Sequence, residues 1–162
     1  MKLKEKIALV TGAGSGIGQA TALLFAAEGA RVACVDLNEA TAKQTAEQIE
    51  KAGGQALAVR ADVSKAPDNL AMVERTAAQW GRLDILYANA GVPQSPTPVE
   101  EVDEATFDRI MAVNVRGVFL GVKYAVPVMK KQGGGVILIT ASTAAIRPRK
   151  GVQAYGASKG AV

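Results

Sequence analysis

Tyr155 and Lys159 stand four residues apart near the end of the chain, in Tyr155-Gly-Ala-Ser-Lys159. On a helix that spacing puts both side chains on one face, where an ammonium favours the ionised form of a neighbouring phenol. A phenol poised in this way gives and takes protons, which is general acid–base chemistry. Ser142 lies thirteen residues upstream of Tyr155, just past the apolar run Val136-Ile-Leu-Ile-Thr140, and could offer a hydroxyl to a reacting oxygen. Asn114, in Met111-Ala-Val-Asn114-Val-Arg-Gly117, is an amide inside an apolar helical stretch. Each has an ordinary reading too. Ser142 can be a turn residue or helix cap, the Tyr–Lys pair an exposed helix face, and Asn114 a buried amide bonded to backbone.

The chain contains no histidine, which removes the Ser-His-Asp triad and histidine-ligated zinc. Its single cysteine, Cys34, excludes an internal disulfide and a cysteine-based metal site, so no metal is expected. Within Val32-Ala-Cys-Val35 it reads as a small core residue. Carboxylates, lysine, tyrosine and Cys34 are the acid–base groups left, with Tyr155 and Lys159 foremost.

A second pattern could hold a phosphate. Thr11-Gly12-Ala-Gly14-Ser15-Gly16-Ile17-Gly18 follows the first apolar run. Glycines there allow a tight strand-to-helix turn and close backbone approach, and the helix N-terminus offers amides to a pyrophosphate. The general dinucleotide fingerprint is absent, because no glycine stands three after Gly14, and no Lys-Ser/Thr pair follows as in a phosphate-loop NTPase. Asp36 comes eighteen residues after Gly18. A carboxylate there can accept from ribose hydroxyls and would repel a 2′-phosphate, and Leu37 follows it in place of an arginine, so NAD is favoured over NADP. The competing reading is that Asp36 caps the next helix, which Asn38 could do equally well. On its own, Asp62 reads as a solvated turn residue.

Bringing these groups together requires alternating strands and helices. Lys6–Thr11, Arg31–Asp36, Gln55–Arg60, Leu83–Tyr87 and Val136–Ala141 read as short buried strands. Ile17–Gly29, Glu39–Ala52, Pro67–Trp80, Phe107–Lys131 and a last segment from Ala154 read as helices. Ala20, Leu23, Leu24 and Ala27 are expected to face inward, and Gly117, Gly121 and Pro127 to bend the long helix. Short connections imply right-handed crossovers and one doubly wound parallel sheet, an α/β fold in a single domain over residues 1–162. The motifs then fall at carboxyl ends of strands, where open α/β sheets bind ligands.

These motifs resemble those of the short-chain dehydrogenase/reductase family. The match comprises the spacing of Gly12, Gly16 and Gly18, the pair Asp62-Val63, and Asn89-Ala90-Gly91, preceded by Ala88 where many members carry a second asparagine. Asn114, Ser142, Tyr155 and Lys159 complete it in order and spacing. The resemblance implies a Rossmann-like sheet of strand order 3-2-1-4-5 that lacks the family's last strands. It implies an NAD site at Gly12, Ser15, Gly16, Ile17, Gly18, Asp36, Leu37, Asp62, Val63, Asn89, Ala90, Gly91, Tyr155 and Lys159. Ser15 stands where NADP-preferring members often carry a basic residue.

The implied reaction is hydride transfer between a nicotinamide and a secondary alcohol or ketone. In it Tyr155 takes or returns the substrate proton, while Lys159 supports the phenolate and holds the nicotinamide ribose. Ser142 orients the substrate oxygen, and Asn114 holds a water connecting Lys159 to solvent. Pro93, Gln94, Thr143 and Ile146 are expected along the near side of the pocket. Reduction of a 3-oxoacyl thioester is an alternative, and a catalytically inactive cofactor-binding fragment or scaffold another. Members assemble as homo-oligomers, dimers or tetramers, through the long helix around Asn114 and the helix of Tyr155; a homotetramer is expected.

Composition fits this picture. With 49% apolar but only 4% aromatic residues, the core must be Ala, Val, Ile and Leu. The net charge of +4 is scattered without aromatic interleaving, which argues against nucleic acid as a partner. No apolar run suggests a bilayer span or a signal peptide, so a cytoplasmic protein with no membrane partner is expected. Family members continue well past the Tyr–Lys pair. The fifth strand is therefore expected to be an uncovered apolar edge, and the chain a piece of a longer protein.

Overall fold

The computed structural model describes residues 1–162. In chain order the strands are β1 (Ile7–Thr11), β2 (Arg31–Asp36), β3 (Gln55–Arg60), β4 (Ile85–Ala88) and β5 (Val136–Ile139). The helices are α1 (Gly16–Ala27), α2 (Glu39–Lys51), α3 (Ala66–Trp80), α4 (Glu104–Met111), α5 (Gly117–Lys131) and α6 (Gln153–Gly160). Every residue of β1 is buried. It forms the middle of a parallel sheet of order β3-β2-β1-β4-β5, as the resemblance implied. Strands covered on both faces need unbroken apolar runs, and Ile7-Ala-Leu-Val10 and Val32-Ala-Cys-Val35 provide them.

One face of the sheet, around Leu9, Val59, Leu83 and Leu86, packs against Met72 of α3 and Met129 of α5. On the other, Val10, Val32 and Cys34 meet Ala22 of α1 and Ile49 of α2. Burial pushes the Cys34 thiol up to about 12, so it behaves as a core residue and takes no part in acid–base chemistry.

Two expectations need correction. Ala20, Leu24 and Ala27 of α1 point to solvent, Leu24 being 60% exposed; Gly18 and Ala22 are buried, with Phe25 and Ala26 packed on the core. The phase of α1 is set by its contact with the glycine turn, since a Cβ at Gly18 would collide with the Gly12 carbonyl. The long helix also departs from its reading. Its irregularity is a π-helical turn at Ala112–Arg116, and α5 runs on through Pro127 to Lys131. Gly117 is a place of close packing instead, since a Cβ on it would lie 2.9 Å from Val63 Cγ2, whereas one on Gly121 would meet its neighbours at an ordinary 3.7 Å.

The continuous helical run Glu104–Lys131 is 28 residues, long and apolar enough to cross a bilayer, contrary to the reading that nothing in the chain is. It buries Ile110, Leu120, Ala125 and Met129 within the fold, as a core helix does. Strand β5 is a sheet edge whose Val136, Leu138 and Ile139 are 54%, 42% and 38% exposed.

Candidate functional site

The site begins where β1 turns into α1. Gly12 and Gly16 have φ of +67° and +53°, a region open to glycine without strain. A Cβ on Gly14 would press on Thr41 and lie 2.8 Å from Asp36 Oδ2, whereas one on Gly16 would meet nothing within 4 Å. Ser15 caps α1 by its extended backbone, its hydroxyl making no capping bond, and the first turn carries no acidic residue. The first amides of a helix lack intrahelical partners, and at α1 they open, with the positive end of the helix dipole, onto a cavity of about 490 Å³.

Asp36 forms the next wall. Its Oδ2 accepts from the Gly14 amide and its Oδ1 from the Asn38 amide, both at 2.9 Å. Capping of α2 falls to Asn38, whose Oδ1 accepts from Ala40 and Thr41 at 3.0 and 3.4 Å. Asp36 is therefore held in place by the glycine turn and is no helix cap. Asp62, at the end of β3, is also no idle turn residue. Its Oδ1 accepts from the Ser64 amide and hydroxyl at 2.9 and 2.7 Å, which shapes the turn beside Val63.

At the carboxyl end of β4, Asn89 Nδ2 donates to the Thr11 carbonyl at 3.0 Å. The Thr11 hydroxyl accepts from the amides of Asn89 and Ala90 at 3.0 and 3.1 Å. Thr140 Oγ1 donates to Asn89 Oδ1 at 3.0 Å. One asparagine thus ties the ends of β1, β4 and β5 together, and Ala90-Gly91 lies along the cavity floor.

Every residue named from sequence for the cofactor borders this one cavity, Tyr155 and Lys159 included. Its volume falls within the range of small-molecule sites, roughly 300–1,000 Å³. Sequence reasoning missed Val35, Ala61, Val92, Val113 and Thr140 on its lining. For Val35, Ala61, Val92 and Thr140 the available signal was their position at or just beyond strand ends, and for Val113 its place beside Asn114 in the π-helical turn. Of the four near-side residues anticipated, Pro93 borders the cavity; Gln94, Thr143 and Ile146 do not.

The acid–base groups approach from α6. Tyr155 is half-buried and Lys159 only 5% exposed. Lys159 Nζ donates to the Thr140 carbonyl at 2.6 Å, and burial holds its pKa below the ordinary lysine value of 10.5. Asn114 sits in the π-helical turn, fully buried. Its Oδ1 accepts from the Val92 amide at 2.8 Å, and its Nδ2 donates to the Val92 carbonyl and Ser158 Oγ, both at 3.0 Å. Ser142 Oγ accepts from the Ala144 amide at 3.1 Å and caps the short 3₁₀ turn Thr143–Ala145. A hydroxyl that accepts in this way keeps its own hydrogen to donate. Asn114 and Ser142 lie outside the cavity lining, which holds Tyr155 and Lys159. Sequence reasoning also missed Ser158, whose signal was its place beside Lys159.

A comparison of the chain with known families decides what this arrangement is: the profile described as short chain dehydrogenase matches residues 6–162. The chain belongs to that family. An uncharacterized oxidoreductase of Thermotoga maritima is 46% identical, the alignment covering 100% of this chain and 63% of the relative. Among solved structures, the 3-ketoacyl-(acyl-carrier-protein) reductase of Brucella melitensis, complexed with NADH, superimposes with a TM-score of 0.92 at 46% identity. That match covers 98% of this chain and 66% of the reductase. A 7α-hydroxysteroid dehydrogenase complexed with NADH and 7-oxo glycochenodeoxycholic acid gives a TM-score of 0.94 at 37% identity, covering 99% of this chain and 62% of that one. The chain thus spans less than two thirds of the length of these family members.

Proposed function

We propose that the protein is an NAD-dependent oxidoreductase that interconverts a secondary alcohol and a ketone. One observation carries the reading: the glycine turn, Asp36 and the Tyr155–Lys159 pair all border a single cavity. The residues suit a dinucleotide. A helix N-terminus free of acidic side chains can take a pyrophosphate, and the buried Val35, Ala61 and Val63 give an apolar berth for a base. Asp36, fixed by the Gly14 amide, presents its carboxylate where ribose hydroxyls would bind, which favours NAD over NADP.

A bound nicotinamide supplies the hydride acceptor or donor. Tyr155 takes the proton from the alcohol oxygen in oxidation and returns it in reduction. Lys159 places a positive charge beside that reaction and can bond a ribose hydroxyl. Ser142 donates its remaining hydrogen to the substrate oxygen. Asn114 fixes the backbone at Val92, where the cavity floor meets the helix of Tyr155.

Secondary alcohols and ketones assayed by NADH absorbance with NAD and with NADP test the reading. Turnover with NAD and a weaker rate with NADP are expected, and absence of turnover across the panel in full-length protein overturns it. The likeness to the 3-ketoacyl-(acyl-carrier-protein) reductase supports a second reading, a 3-oxoacyl thioester as substrate; including one in the panel separates the two. A homo-oligomer joined through the outer face of α4 and α5 fits the exposure of Phe107 and Phe119, at 44% and 63%.

A further inference from the structure

The helix that carries Tyr155 starts without a capping side chain of its own. Its N-cap is Val152, which makes no side-chain hydrogen bond. The first-turn amides of such a helix need partners from elsewhere. Gln94 supplies one from a loop 61 residues away: its Oε1 accepts from the backbone amide of Tyr155 itself, at 3.0 Å. Gln94 is only 7% exposed, so the bond is shielded from water, and its Nε2 has no partner. Residues on either side of it are tied to the same region. The Val92 backbone is clasped by Asn114. Thr97 donates its amide to the Gly151 carbonyl at 2.9 Å, just before α6. The carbonyl of Tyr155 accepts from Ser158 Oγ at 2.7 Å, and that hydroxyl accepts in turn from Asn114. Both backbone polar groups of Tyr155 are therefore held by side chains, and the amide depends on Gln94 alone.

We infer that Gln94 is a positioning residue for Tyr155, borrowed from the β4–α4 loop to cap the helix that carries the proton-transfer group. The inference rests on the oxidoreductase reading above and assigns Gln94 no contact with substrate. A catalytic group displaced by a fraction of an ångström loses rate, not cofactor affinity.

The test compares Gln94→Met, similar in shape but lacking the oxygen acceptor, with Gln94→Glu in the full-length protein. Glutamate keeps an acceptor in either protonation state, gives up only the unpartnered amide, and suits a helix N-terminus. Gln94→Met should lower kcat about tenfold or more, with KM and NAD affinity within about twofold, and should speed hydrogen exchange at the Tyr155 amide. Gln94→Glu should restore both, and it serves alone, compared with wild type, should the methionine variant fold poorly. A methionine variant with unchanged kcat overturns the inference, and so does a loss confined to KM, which would mark a substrate contact. A glutamate variant as impaired as the methionine one overturns it as well. Wild-type protein without turnover removes the oxidoreductase reading itself, whereas an unaltered Tyr155 amide in an active enzyme removes this inference alone.

Discussion

Lys159 keeps its ammonium out of solvent against a backbone carbonyl, and that placement has a pH signature. Burial favours the neutral amine, so its pKa lies below the ordinary 10.5. Between the folded-state value and 10.5 the unfolded chain binds more protons than the native one, so stability rises with pH through that window. As pH falls through the folded value the contribution is lost. Chemical denaturation of wild type and Lys159→Met, without cofactor, should therefore show the wild type gaining stability relative to the variant as pH rises toward 10.5. A pH-independent difference would mean that burial does not disfavour the charge. Tyr155 makes a sharper contrast between binding and chemistry. Tyr155→Phe removes only a hydroxyl, so turnover should fall about 10²-fold or more, while NAD affinity by fluorescence titration stays within about twofold. If the Asp36 carboxylate selects the cofactor, as proposed above, Asp36→Ala should raise kcat/KM with NADP relative to NAD. An unchanged ratio would place the discrimination elsewhere.

At the scale of elements, the π-helical turn is the feature that local pattern could not reveal. Its one widened turn has no compositional mark, and the glycines and proline that suggested bends serve close packing or ride inside a continuous helix. Asn114 is what the turn accommodates, a buried amide with three bonds to Val92 and Ser158. Asn114→Leu should cost about 2–4 kcal/mol, because the half-buried Val92 amide and carbonyl and the buried Ser158 hydroxyl all lose their partner. Urea denaturation measures it, and a loss under about 0.5 kcal/mol would mean that water or the backbone takes over those bonds. The alternation of strands and helices was legible, since buried parallel strands leave unbroken apolar runs such as Ile7–Val10. The face of α1 was not: apolar residues lie all round it, and only the contact of Gly18 with Gly12 selects Ala22 over Leu24. Around the cavity the residues read from sequence were those with unusual chemistry or glycine freedom. Thr140 escaped because it meets Lys159 through its backbone carbonyl, for which a side-chain type gives no signal, and Gln94, expected along the pocket, instead turns its side chain to the Tyr155 amide.

Across the whole molecule the sheet is unequal at its two ends. On the β3 side, α2 packs closely against the outermost strands. On the other side β5 bonds only to β4, through Ile85 with Val136 to Ala88 with Ile139, and its outer edge carries exposed apolar side chains. An apolar edge strand with free amides and carbonyls is a template for pairing with another chain. The 162-residue chain on its own should therefore self-associate as its concentration rises. A lysine in the edge blunts such pairing, and Leu138, at 42% exposed, can take one without burying the charge. Leu138→Lys should lower light scattering at matched concentration and raise the monomer fraction in sedimentation, with thermal stability little changed. Scattering that persists in this variant but falls in Phe119→Lys would move the sticky surface from β5 to the helical face of α5, the one proposed to join subunits.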